Sequence, residues 1–373
     1  MRAIEISGPP RERGRSYGMQ ARDLIGQAAA YYLRLLTAGG GSGADLLHGV
    51  LPWLPEIERA SPDLAEELRG IAEGSGRPLA EIIMLNARSE LLRASSAAGR
   101  DADGCTVFGL LQHGGRDAPF YVGGNWDWRE ATRDHWLLLR ILQPPKPAVS
   151  TVVEAGQLAR FGVNSAGIAL FVNGLNGFRP GEISVPQLVV RRQVLDSADF
   201  SGALAAAIDT RRCLASSLLL AHRDGLMLDI ELAPGRCAWL EPDDGLLVHG
   251  NHYEAFSWAA DGAEFRPWGL DSLYRTQRLR GRLRALMRAP ESPGPDSLSD
   301  CLADHAGLPD SVCRHPNPQD PPSARWTTLA SSIVDLHSGT WWLAPGRPCE
   351  NRLEAITWNV FSDEREDISR TGQ

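Results

Sequence analysis

Apolar residues in the first hundred positions recur at intervals of three and four, whereas beyond residue 105 they come in short alternating or continuous runs. Ile25, Ala28, Ala29, Tyr32, Leu33 and Leu36 fall on one face of a helix predicted over Met19–Leu36, which the glycine-rich run at 39–43 ends. Ser61-Pro62-Asp63 offers an N-cap serine, a proline at the first helical position and an acid in the first turn. A second helix therefore starts there and stops at Gly74 and Gly76. A third is predicted over Leu79–Ala94, and the small polar residues 95–104 read as an exposed loop.

From Cys105 the pattern predicts strands. They fall at Cys105–Gln112, Phe120–Gly123, Trp136–Leu142, Ser150–Glu154, Ile168–Asn173, Ser216–His222, Leu226–Leu232, Cys237–Glu241 and Leu246–His249. A closing hairpin covers Ser331–Leu336 and Thr340–Ala344, followed by a last run near Glu354–Val360. Helices are predicted over Pro186–Ile208, Ser272–Ala289 and Ser297–His305. Helices, many strands, helices and a final hairpin suggest one layered α+β domain over residues 1–373, with two sheets face to face between helical layers.

Composition narrows the function classes. With 38 basic against 46 acidic residues the net charge is −8, which leaves no basic face for a nucleic-acid backbone. Six cysteines scattered along 373 residues are not a disulfide framework. No apolar stretch opens the chain and no run approaches a membrane span, so the expectation is a soluble cytoplasmic protein with reduced thiols and no membrane insertion. A monomer and a homodimer both fit this composition.

In that setting one cysteine can be a nucleophile, and Asp103-Gly104-Cys105-Thr106, where the helical part gives way to the first strand, is the sharpest feature. If the Gly104–Cys105 bond is cut, the new α-amine of Cys105 can act as the thiol's own base. The bland alternative is a buried cysteine at a strand start. Asn125 and Asp127 lie where a returning hairpin strand would bring them beside Cys105, and Asn173 and Asn251 end further strands. Amide donors around a thiol are what an oxyanion hole requires.

Asp-Gly-Cys-Thr, then Gly-Gly-Asn-Trp-Asp-Trp at 123–128, Asn164-Ser165 leading to Asn173, and Asn251-His252-Tyr253 resemble the autoproteolytic acyltransferase family typified by isopenicillin N acyltransferase. Choloylglycine hydrolases and acid ceramidase are its relatives among the N-terminal-nucleophile hydrolases. Gly14 and Gly18 resemble an early glycine pair of the family, and Ser311–His315, Thr328–Ile333 and Gly346–Cys349 its C-terminal pattern. The resemblance implies a four-layer αββα sandwich and self-cleavage between Gly104 and Cys105. The products, residues 1–104 and 105–373, would stay associated. It further implies Cys105 as nucleophile, Asp127 orienting its amine, Asn173 and Asn251 as oxyanion or amine partners, and Arg275 completing the site. The substrate class would be a small acyl amide or acyl-CoA thioester, handled without a cofactor. Choloylglycine hydrolases carry an arginine just before the asparagine that matches Asn125; Gly124 stands there, which leans toward the acyltransferase branch.

Phe108, Trp126, Trp128 and His252 are candidates for the substrate wall, with core packing as the alternative. Cys301, His305, Cys313 and His315 could be read as zinc ligands, but the spacing is no standard finger and Pro309, Pro316 and Pro318 make the region a loop. His249 and His252 lack a third ligand, so no metal site is expected. Asp271 and Arg275 are also spaced as a helix-face ion pair. Two competing functions remain: a Cys-His thiol hydrolase without self-cleavage, and a non-catalytic small-molecule-binding protein of the same fold.

Overall fold

The chain opens with strand β1 (Ala3–Ser7) and seven helices, α1 (Pro10–Gln20), α2 (Arg22–Thr37), α3 (Gly43–Gly49), α4 (Trp53–Ala60), α5 (Pro62–Ser75), α6 (Leu79–Asn86) and α7 (Arg88–Ala94). This computed structural model describes residues 1–95, 104–112, 118–256, 266–267 and 269–364. Asp103 and most of the predicted 95–104 loop lie outside the described residues. Ser61 caps α5 by accepting from the Leu64 amide at 3.3 Å, and Gly76 closes it in the left-handed conformation at φ 69°.

Gly74 does not stop α5; it lies inside it, because the helix needs it for packing. A Cβ at Gly70 or Gly74 would sit 2.1 or 2.0 Å from the carbonyl oxygens of Arg11 and Arg15 on α1. In return, a Cβ on Gly14 or Gly18 of α1 would sit 2.1 or 2.4 Å from the carbonyl oxygens of Glu67 and Ile71. Two glycine pairs four apart thus bring the helix backbones into contact. The predicted helix over Met19–Leu36 is two helices meeting at Ala21.

The strands follow as β2 (Thr106–Leu111), β3 (Phe120–Arg129), β4 (Trp136–Leu142), β5 (Val149–Glu154), β6 (Phe161–Asn164) and β7 (Ile168–Phe178). Helices α8 (Gln187–Leu195) and α9 (Phe200–Ile208) divide the predicted helical stretch over Pro186–Ile208. Then come β8 (Leu214–His222), β9 (Leu226–Ala233), β10 (Arg236–Leu240), β11 (Leu246–His249), α10 (Asp271–Met287), α11 (Pro295–Leu302), β12 (Trp326–Asp335), β13 (Thr340–Pro345) and β14 (Glu354–Ala355).

These strands form two sheets, in the orders β1-β4-β5-β6-β7-β8-β9-β10 and β11-β2-β3-β12-β13-β14. All pairings are antiparallel except β1 with β4. One apolar cluster joins the N-terminal helices to the facing sides of both sheets, through residues such as Ile25, Leu85, Leu139, Phe161 and Trp341. A second fills the far side of the smaller sheet, where Phe108 and Ile333 pack on Leu279 and Leu283 of α10 and Leu298 and Leu302 of α11. The architecture is therefore the mixed α+β arrangement with two stacked sheets and helices outside both.

Candidate active site

Cys105 stands one residue before β2, whose partner β3 returns beside it with Thr106 opposite Asn125 and Val107 opposite Gly124. Side chains alternate across a strand, so Cys105, Val107 and Trp126 face the larger sheet, while Thr106, Asn125 and Asp127 face α10 and the loop after α11. The thiol is buried in a pocket lined by Val107, Gly124, Asn125, Trp126, Arg160, Phe161, Phe171 and Val172. Its Sγ lies 3.7 Å from the Asp127 carbonyl oxygen and 4.0 Å from Nη2 of Arg160.

Arg160 was not anticipated. It lies just before β6, buried and stacked over Trp126, with its guanidinium carbon 4.4 Å from that ring. A lone arginine inside the apolar run 158–163 was its only signal in the sequence. It brings positive charge to the thiol from the larger sheet. Position 124 itself cannot carry a side chain, since a Cβ there would lie 2.3 Å from the Thr106 carbonyl oxygen.

The backbone of Cys105 is held from two directions. Asn173, buried in β7, donates from Nδ2 to the Cys105 carbonyl at 2.8 Å, and Arg275 of α10 donates to the same oxygen at 3.0 Å. Arg275 also donates to the Thr106 hydroxyl, to Asn251 Oδ1 at 2.9 Å and to Asp271 Oδ2 at 2.9 Å. The helix-face ion pair and the site contact thus coexist. Asn251 spends its own amide on the Gly174 carbonyl at 3.0 Å, so in this state it orients Arg275.

On the opposite side of the backbone sit Gly104 and Asp127. A Cβ on Gly104 would come within 2.7 Å of Arg314 Nε and 3.1 Å of Asp127 Cβ, so only glycine fits there without displacing them. Asp127 Oδ1 accepts from the Thr328 hydroxyl at 2.7 Å, while Oδ2 is buried with no hydrogen-bond donor among the described residues. Burial outweighs the nearby Arg314 and Arg275 and pushes this carboxyl up to about 7. Arg314 in turn pairs with Asp271 and Asp310, which closes a charged chain from Asp127 through Arg314 and Asp271 to Arg275.

Of the four expected wall residues, only Trp126 lines the pocket. Phe108 is corrected by strand alternation: it is one residue past Val107, points to the opposite face and packs in the α10/α11 layer. Trp128 is core, donating to Tyr32 Oη at 2.8 Å beneath Arg88. His252 bonds Ser272 Oγ through Nδ1 at 2.8 Å and stacks on His249; burial and then the His249 charge push it down to about 4. His249 is itself occupied by the Gly250 carbonyl and Glu231. Asn125 binds the Leu302 and Val312 carbonyls at 2.9 and 2.8 Å, which fixes the loop after α11.

The four suspected zinc ligands do not converge as a set. Cys301 turns into the apolar layer of α10 and α11. His305, Cys313 and His315 instead meet Cys349.

A model of the acyl-coenzyme A:6-aminopenicillanic acid acyl-transferase family matches residues 113–350. The chain is 30% identical over 253 residues to the 40 kDa form of acyl-coenzyme A:6-aminopenicillanic-acid-acyltransferase from Emericella nidulans, covering 67% of this chain and 68% of that one. A solved variant of conjugated bile acid hydrolase from Clostridium perfringens is similar with a TM-score of 0.50 at 13% identity, over 70% of this chain and 95% of that one. At that identity the likeness concerns the fold alone.

Proposed function

The chain belongs to the acyl-coenzyme A:6-aminopenicillanic acid acyl-transferase family, and from that premise we propose that it is a self-processing cysteine amide hydrolase or acyltransferase working through a Cys105 acyl-enzyme. One observation carries this reading. Asp127 Oδ2 is buried beside Gly104 with Arg314 Nε 3.5 Å away but no hydrogen-bond donor among the described residues, and an ammonium at the Cys105 nitrogen would supply one.

In the intact chain the Cys105 thiol attacks the Gly104 carbonyl carbon, the peptide C–N bond breaks as the nitrogen takes a proton, and a thioester remains. Water then hydrolyses it, leaving a Gly104 carboxylate and a Cys105 with free thiol and free α-amine. The ammonium form of that amine donates to Asp127 Oδ2. The neutral form accepts the thiol proton when a substrate binds.

The thiolate attacks the acyl carbon of an amide or acyl thioester, and the amine or CoA thiol departs with the proton. Arg160, 4.0 Å from Sγ, favours the thiolate. The acyl chain would lie along the apolar side chains beside the thiol, Val107, Trp126, Phe161 and Phe171. Water or an amine then takes the acyl group. Asn173 and Arg275 keep the Cys105 backbone fixed throughout, which preserves the reach of Sγ.

A Cys-His reading finds less support among the described residues, because His249 and His252, the rings flanking Asn251, are bonded elsewhere. The test is to quench the protein during turnover of a small acyl-CoA and weigh its peptides. An acyl adduct on the peptide beginning at Cys105 is the expected result; turnover with no adduct there, or none at all, would overturn the reading.

A further inference from the structure

Beyond the thiol site, four side chains from three segments meet at one point: His305 after α11, Cys313 and His315 in the loop that follows, and Cys349 after β13. Their nearest ligand atoms all lie within 4.8 Å of one another. Cys313 Sγ is 3.5 Å from Cys349 Sγ and 3.7 Å from His315 Nε2. Cys349 Sγ is 3.5 Å from His315 Nε2, and the two histidine Nε2 atoms are 3.2 Å apart.

These separations have a simple geometric meaning. A tetrahedron with Zn–S near 2.3 Å and Zn–N near 2.0–2.1 Å has S–S, S–N and N–N edges of about 3.8, 3.6 and 3.4 Å. Each of the four separations is within a few tenths of an ångström of its edge. A disulfide explains them less well, because bonded sulfurs stand about 2.0 Å apart and would leave both imidazoles unaccounted for.

We propose that His305, Cys313, His315 and Cys349 bind one zinc ion in a closed structural site. Two thiols release their protons to become thiolates, and two imidazoles bind neutral, so the loaded site carries no net charge. With four protein ligands no position is left for water, which separates this site from the chemistry at Cys105.

Its place in the fold gives it a task. Arg314, the residue between two of the ligands, donates its amide to Thr328 Oγ1 at 3.0 Å and accepts from the Thr328 amide at 3.1 Å. Arg347, two residues before Cys349, donates to Thr327 Oγ1 at 3.2 Å. The segments bearing Cys313 and His315 and bearing Cys349 therefore both hang on the start of β12, and the ion ties them to each other and to His305. Arg314 then holds its guanidinium against Asp127. The zinc acts on the reaction centre only by positioning.

The test is elemental analysis of the full-length chain, purified under reducing conditions after growth with added zinc and passed over a chelating resin. Cys349→Ser, His305→Ala and Cys301→Ser chains are run beside it. Cys349 and His305 are exposed, so their replacement spares the core, and circular dichroism verifies that the variants fold. About one zinc per chain is expected in the parent and in Cys301→Ser, with at least a tenfold loss in the two ligand variants. Cobalt substitution should give the visible bands of tetrahedral thiolate coordination, absent from Cys349→Ser. Less than a tenth of an equivalent in the parent after zinc addition would overturn the proposal, as would equal zinc in all four chains. A Cys105→Ala chain separates this from the catalytic reading, because it should hold its zinc whether or not the parent cleaves itself.

Discussion

Arg314 Nε faces Asp127 Oδ2 across 3.5 Å, and neither atom has a hydrogen-bond partner among the described residues. The attraction is therefore that of two charges held near each other by packing, with the carboxylate oxygen still open to a donor. Removing the arginine leaves Asp127, Asp271 and Asp310 without their shared cation. Arg314→Met should destabilise the protein by about 3–5 kcal/mol, the usual cost of breaking a buried pair on one side, as read by urea unfolding. A loss below about 1 kcal/mol would show that this chain of charges does not hold the site.

Asp127 also gives a pH signature. Its carboxyl rises from an ordinary 3.8 to about 7 because burial disfavours the charge. A raised folded value means its contribution is fully present below about pH 4 and is lost as pH climbs through about 7. In the uncleavable Cys105→Ala background, stability should therefore fall between pH 4 and 7.5 by a few kcal/mol more than in Cys105→Ala/Asp127→Asn. Identical pH profiles for the two chains would contradict this.

Arg160 should control the reactivity of the thiol. A cation about 4 Å from a thiolate is worth about 4 kcal/mol at an effective dielectric constant near 20 and far less where water screens it. Arg160→Met should move the pH midpoint of Cys105 alkylation by iodoacetamide upward by about one unit or more, and Arg160→Lys should recover part of the shift. An unchanged midpoint would assign Arg160 to packing over Trp126 alone.

The glycine contacts of α1 and α5 predict opposite signs for one kind of substitution. Gly74→Ala would drive a Cβ to 2.0 Å from the Arg15 carbonyl, whereas Gly26 in α2 has nothing within 4 Å. Gly74→Ala should cost about 1–3 kcal/mol from overpacking, and Gly26→Ala should stabilise by about 0.5–1 kcal/mol through helix propensity. Thermal unfolding of the two variants checks both signs.

Much of this was legible because it is local. The cap at Ser61, the strands β4 and β11 and the hairpin that brings Asn125 and Asp127 beside Cys105 all follow from patterns within a few residues. Cys105, Asp127, Asn173 and Asn251 stood out through their motifs, Arg275 was implied only by the family resemblance, and the fold brings them together. What stayed hidden depends on which distant segments meet. Arg160 reaches the thiol from the other sheet, Phe108 turns away by a single residue of strand alternation, and Cys349 replaces Cys301 beside three ligands far from it in sequence. No spacing rule encodes those encounters.

The most direct test of the central claim is the intact mass of the purified chain under denaturing conditions, with Cys105→Ala beside it. The account predicts two fragments, residues 1–104 and 105–373, from the parent and one uncut chain from the variant. A single full-length species in both would contradict it, because Cys105 would then have no free amine to act as its base.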